Sequence, residues 1–131
     1  MYQGSCSCGK VQYEIAGISD IVYCHCSLCR KAQGSAFATN GVVKEQEFEF
    51  IKGEDNLTEY QSNENKSVFF CCTCGSPIYS KMKNIPKVVR IRVGTISSNI
   101  KERPIAHIFA TSKAQWEQIT DDLPQFEQYI E

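Results

Sequence analysis

Seven of the chain's eight cysteines fall in tight clusters, and that spacing constrains the fold more than any other feature. Cys6 and Cys8 form one cluster, Cys24, Cys26 and Cys29 a second, and Cys71 and Cys74 a third. Disulfides are the obvious alternative for so many thiols in 131 residues. Close neighbours cannot easily reach the geometry of a bridge to one another. The opening Met1-Tyr2-Gln3-Gly4-Ser5 has the features of neither a signal nor a transit peptide, so a cytoplasmic setting is expected. In a reducing compartment, clustered thiols are metal ligands. The expectation is one zinc-binding domain over residues 1–131 that holds two zinc ions.

Spacing also divides the ligands. Zinc takes four donors in a tetrahedron, and the pairs Cys6/Cys8 and Cys71/Cys74 supply four thiolates from two distant segments. Gly9 and Gly75, each directly after a ligand, let the backbone curl so that amides point at the sulfurs. Four thiolates leave no free position, so this site is structural and its formation is coupled to folding. Cys24-His25-Cys26-Ser27-Leu28-Cys29 supplies three thiolates from one loop. Three protein ligands plus an exchangeable fourth position describe a catalytic zinc site. His25 is available as a fourth ligand, although in extended backbone it points away from its neighbours. His107, in the apolar run Ile105–Phe109, reads as a satisfied strand residue, and Cys72 as a small buried one facing away from Cys71. A thiolate-rich zinc has blunted Lewis acidity, which favours binding an exogenous thiol over activating water.

Between the clusters the pattern is mainly β. Val11, Tyr13 and Ile15 alternate with polar residues, as do Phe48 and Phe50, and Val89, Ile91 and Val93 alternate with Arg90 and Arg92. Shorter strands are expected over 21–24, 36–43, 57–61, 67–71, 78–81 and 106–109. Two short helices are expected. One is capped by Ser27 and runs to Gln33, where Gly34 stops it; the other starts at Ser112 and carries Trp116 and Ile119. The fold class is thus mainly β, in small antiparallel sheets stapled by zinc. Fourteen basic residues against fifteen acidic ones give a net charge of −1, which is no footprint for nucleic acid. No apolar run approaches the length of a membrane span.

These motifs resemble those of the glutathione-dependent formaldehyde-activating enzyme family, which shares its domain with centromere protein V. The resemblance runs from Gly4–Gly9 through Cys24–Lys31 and Gly34-Ser35, then Phe70–Pro77 and Gly94-Thr95, to His107–Trp116 and Asp121–Glu127. It implies a β-tent fold, a structural zinc on Cys6, Cys8, Cys71 and Cys74, and an active-site zinc on Cys24, Cys26 and Cys29. It also implies carbon–sulfur lyase chemistry, in which glutathione and formaldehyde combine reversibly into S-hydroxymethylglutathione. The partners are then a small thiol such as glutathione and a small aldehyde. Glutathione carries two carboxylates, so Arg30, Lys31, Arg90, Arg92 and Lys113 are candidate substrate-binding residues, with Arg90 and Arg92 expected on one face. Gln115 stands where many relatives have proline before Trp116, and the acidic pair often found after Gly94-Thr95-Ile96 is missing. The alternative function is a non-catalytic zinc module that binds a protein or a small ligand.

Overall fold

The computed structural model describes residues 1–130. Ten strands and one α-helix follow one another: β1 (Tyr2–Ser5), β2 (Gln12–Ile15), β3 (Ser19–Cys24), α1 (Ser27–Gln33), β4 (Ala38–Lys44), β5 (Phe48–Lys52), β6 (Leu57–Gln61), β7 (Lys66–Cys71), β8 (Pro77–Met82), β9 (Ile85–Arg92) and β10 (Ala106–Ile108). They form a three-stranded sheet, in the order β1-β2-β5, and a seven-stranded sheet, in the order β10-β3-β4-β9-β8-β7-β6. Mainly β architecture is as expected. The larger sheet is mixed rather than antiparallel throughout, because β10 pairs in parallel with β3.

Alternation decides what each face does. Val11, Tyr13 and Ile15 are buried to 1% exposure and pack from the small sheet onto Val43, Tyr79, Val89 and Ile91 of the large one. Phe69 stacks on Tyr79 at 4.4 Å between ring centroids, and Phe48 meets Tyr13 edge-on at 5.5 Å. This is the main core, a dry layer between two sheets. The opposite face of the large sheet follows from its registers. Tyr60 lies opposite Val68, Val68 opposite Ser80, Ser80 opposite Arg90, and Asn40 between Val22 and Arg92. Residues directly opposite share a face. Asn40, Ser80, Arg90 and Arg92 therefore line the side turned away from the core, where helix α1 lies.

Helix α1 spans the expected residues, but its N-cap is Cys26 rather than Ser27. The Cys26 sulfur accepts the Cys29 amide, and Gly34 ends the helix at φ 65. The second helix does not form. A single 3₁₀ turn covers Ala110–Ser112, and Trp116 is 64% exposed. Without an apolar face to bury, so short a segment does not offset the cost of helix nucleation. The chain pairs instead with β10: the His107 amide donates to the Pro124 carbonyl, and the Phe126 amide to the His107 carbonyl. No helix among the described residues is long and apolar enough to cross a membrane.

Candidate metal centre

The structure brings Cys6, Cys8, Cys71 and Cys74 into one group and Cys24, Cys26 and Cys29 into another, with the sulfurs of each group within 4.8 Å of one another. Zinc with bonds of about 2.3 Å sets tetrahedral ligands about 3.8 Å apart. Here Cys6 and Cys8 are 3.5 Å apart, Cys8 and Cys71 3.8 Å, and Cys24 and Cys26 3.5 Å. A disulfide needs about 2 Å. Both groups could hold a metal ion.

The four-sulfur group sits where the sheets meet. Cys6 and Cys8 follow β1, Cys71 ends β7, and Cys74 lies in the turn into β8. Gly9 and Gly75 both take φ near +80, the left-handed region that glycine enters without strain. The Val11 amide and the Asn56 side-chain amide donate to Cys6 and Cys71 at 3.3 Å each. A hydrogen bond from Ser76 is the main force drawing the Cys74 thiol down to about 5. Cys72 differs from expectation. It is exposed, and its thiol bonds to Asn56 Oδ1 at 3.3 Å, because the turn after β7 carries it outward.

The three-sulfur group is built from the end of β3 and the first turn of α1. Cys24 and Cys29 are buried and Cys26 is half-buried. The Cys24 thiol donates to Cys26, a bond that holds Cys26 well below the usual thiol range and Cys24 above it. His25 does not join these sulfurs. Its side chain points the other way, as strand alternation requires, into a cluster with Phe37 and His107. His25 Nε2 lies 2.8 Å from His107 Nδ1, and His107 Nε2 lies 3.0 Å from Asp121 Oδ2. The Asp121 carboxylate only accepts, so His107 Nε2–H donates to it and His107 Nδ1 accepts from His25 Nε2–H. His25 Nδ1 is left with a lone pair and no partner. Burial lowers the His25 pKa further.

Two clefts open beside the three sulfurs. One, of about 340 Å³, has Cys29 in its wall with Leu28, Lys31, Val68, Lys66 and Arg92. The other, of about 230 Å³, is walled by Cys24, Cys26, Asn40, Lys66, Arg90 and Tyr129. The expected cations divide accordingly. Lys31, Arg90 and Arg92 line clefts, whereas Arg30 donates to the His25 and Ser112 carbonyls and Lys113 to the Ala114 and Glu117 carbonyls. Arg90 and Arg92 do share a face, but Arg92 is 2% exposed, held by Gln33 and Ser80. Burial lowers its pKa, and the nearby cysteines oppose that. Among the described residues only Lys81 and His107 meet a carboxylate within salt-bridge distance, so the cleft cations have none.

Lys66 is the cation that linear reading missed. Its Nζ lies 3.7 Å from Cys29 Sγ, and only its place on the Lys66-Val68-Phe70 face of β7 hinted at it. Tyr129 was missed too. The tail after β10 carries it over Arg90, whose guanidinium carbon sits 5.8 Å from the ring centroid.

A solved structure from Rhodobacter sphaeroides, a structural genomics target, is similar to this chain. Identity is 26% and the TM-score 0.64, over 76% of this chain and 91% of that one. The family described as glutathione-dependent formaldehyde-activating enzyme matches residues 1–112, a span that holds both cysteine groups, Lys66, Arg90 and Arg92. With its sulfurs and both sheets assembled from that matched span, the chain belongs to the glutathione-dependent formaldehyde-activating enzyme family.

Proposed function

We propose that the protein is a zinc-dependent carbon–sulfur lyase or synthase that acts on a glutathione–aldehyde adduct such as S-hydroxymethylglutathione. The observation that carries this reading is a cluster of three sulfurs, with no fourth protein donor among the described residues, flanked by two clefts. A zinc ion held by Cys24, Cys26 and Cys29 supplies a position at which a thiol stays ionised near neutral pH. The four-sulfur group is assigned to a structural zinc that ties the two sheets together. A cytoplasmic setting, where thiols stay reduced, suits both groups.

The chain's own residues contribute binding, orientation and charge. Lys31, Lys66, Arg90 and Arg92 receive the carboxylates of glutathione, which no protein acid occupies. The positive charge of Lys66 next to Cys29 favours an anionic sulfur at the site. In the forward direction the thiolate sulfur attacks the aldehyde carbon. A carbon–sulfur bond forms, the carbonyl π pair moves to oxygen, and oxygen takes a proton. The lyase direction reverses each of these events. Holding sulfur and carbon in line is the main catalytic gain.

Zinc-edge X-ray absorption with and without glutathione tests the reading. An additional sulfur at one zinc is expected, together with faster exchange between free formaldehyde and its glutathione adduct in NMR. An unchanged zinc spectrum at millimolar glutathione refutes it.

A further inference from the structure

Among the described residues, Asn40 is the one beside the three sulfurs, other than His25, with a buried polar atom left without a partner. It lies in the middle of β4 at 4% exposure, and its Oδ1 has no hydrogen-bond partner. Such an orphaned carbonyl is costly, so its retention needs a reason. Asn40 lines the cleft of Cys24, Cys26, Lys66, Arg90 and Tyr129. The two other asparagines there are already engaged. Asn63 Oδ1 accepts the amides of Asn65 and Lys66, and Asn65 pairs with Asn84 through both ends of its carboxamide. The Asn40 side chain alone is left for a ligand.

We propose that Asn40 is a substrate-binding residue whose carboxamide pairs with an amide group of a peptide thiol lodged in this cleft. The inference rests on the thiol-binding reading above and adds the residue that recognises the peptide part of the thiol. Turned about its last bond, the carboxamide offers either end to the cleft, and it matches the N–H and C=O of a peptide amide, which a peptide thiol has and a simple mercapto acid lacks. Charge complements this, since Lys66 and Arg90 line the same cleft without carboxylate partners. The neighbouring cleft, whose Lys31 and Arg92 can take a carboxylate, is the poorer seat for the peptide amide itself. Leu28, Ala32, Val68, Phe70 and Pro77 supply much of its wall. A peptide amide placed there meets mainly apolar surface and loses its hydrogen bonds to water.

The test compares two thiols on the zinc-loaded protein, glutathione and 3-mercaptopropionate, which carries a carboxylate but no amide. In Asn40→Leu, glutathione affinity falls about tenfold, as expected for one hydrogen bond at a buried group. Affinity for 3-mercaptopropionate stays within about twofold. The melting temperature of the unliganded variant does not fall, because an unpaired buried carbonyl has been removed. In the wild-type protein with selectively labelled asparagine, glutathione shifts the Asn40 side-chain amide resonances and 3-mercaptopropionate does not; this holds the test open if the variant fails to fold. Equal losses for both thiols, no loss for either, or unmoved Asn40 resonances overturn the inference and leave the thiol-binding reading intact. Failure of the wild-type protein to bind either thiol refutes that reading and this inference together.

Discussion

Replacing one ligand in each sulfur group should give two different phenotypes, and the chain path sets how different. Cys71 and Cys8 are 63 residues apart, so a metal bound there closes a loop of that length between the two sheets. On the cross-link entropy model, a loop of that length stabilises by about 4 kcal/mol. The Cys24–Cys29 segment closes only a few residues, for which the same model gives about 2 kcal/mol. The local cost is smaller still in Cys26→Ser. Cys26 caps helix α1 by accepting the Cys29 amide, and serine is among the preferred N-cap residues. Cys71 is 0% exposed, and its sulfur also anchors the Asn56 side chain. A loss of about 4 kcal/mol is a large share of the 5–15 kcal/mol typical of a folded domain. Cys71→Ser is therefore expected to lose one zinc and most soluble protein, with any soluble fraction melting far below wild type. Cys26→Ser is expected to lose the other zinc while keeping its fold, with a fall in melting temperature about half that of Cys71→Ser or less. Metal content by mass spectrometry and melting by circular dichroism read both. Equal zinc loss with equal destabilisation in the two variants would refute the division into a structural and an open site.

Three further outcomes are expected. Cys72→Ser should retain both zinc ions and change stability by no more than about 0.5 kcal/mol, since its exposed thiol touches only Asn56; loss of a zinc would make Cys72 a ligand. Lys66→Met should leave metal content unchanged but weaken glutathione binding at least fivefold by calorimetry. A charge 3.7 Å from Cys29 Sγ interacts by about 1 kcal/mol at the dielectric of water and about 4.5 kcal/mol at an effective constant of 20. Burial pushes the Tyr13 phenol up to about 12, so the folded state keeps the proton longer than the unfolded chain. That contribution, about 3 kcal/mol for two pKa units, is fully present below pH 10 and is lost as pH rises towards 12. Tyr13→Phe should flatten this alkaline loss in denaturant titrations, and an unchanged alkaline slope would count against it.

Local patterns carried much of the fold. Strand β6 and helix α1 fall on the expected residues because alternation, a helix-stopping Gly34 and turn residues act over short range. Strand β1 was not legible. Gly4 interrupts its pattern, yet Gly4 is what lets the strand lie against Tyr13, whose ring would be 2.3 Å from an added Cβ. The parallel pairing of β10 with β3 joins segments more than eighty residues apart, and neither segment encodes its partner. Asn40 reaches its cleft through the pairing of β4 with β3 and β9, Tyr129 through the tail that returns past β10, and Lys66 through a local hairpin whose alternation gave no sign of Cys29.

The buried polar residues give the two sulfur groups different characters. Among the described residues, His25, Asn40, Ser80, Arg92 and His107 are the buried polar or charged side chains. Asn40 and Arg92 line the clefts beside the three sulfurs, Ser80 holds Arg92, and His107 holds His25 within the Cys24–Cys29 loop. None hydrogen-bonds to the four-sulfur group, whose partners outside the cysteines include Val11, Asn56 and Ser76. A protein selected only for stability has little reason to bury an arginine and an unpaired carboxamide on one face of a sheet and a histidine pair on the other. Arg92 and Asn40, in the cleft walls beside the group with only three ligands, are what a binding site requires. The cost of burying them is offset when a ligand supplies the missing partners.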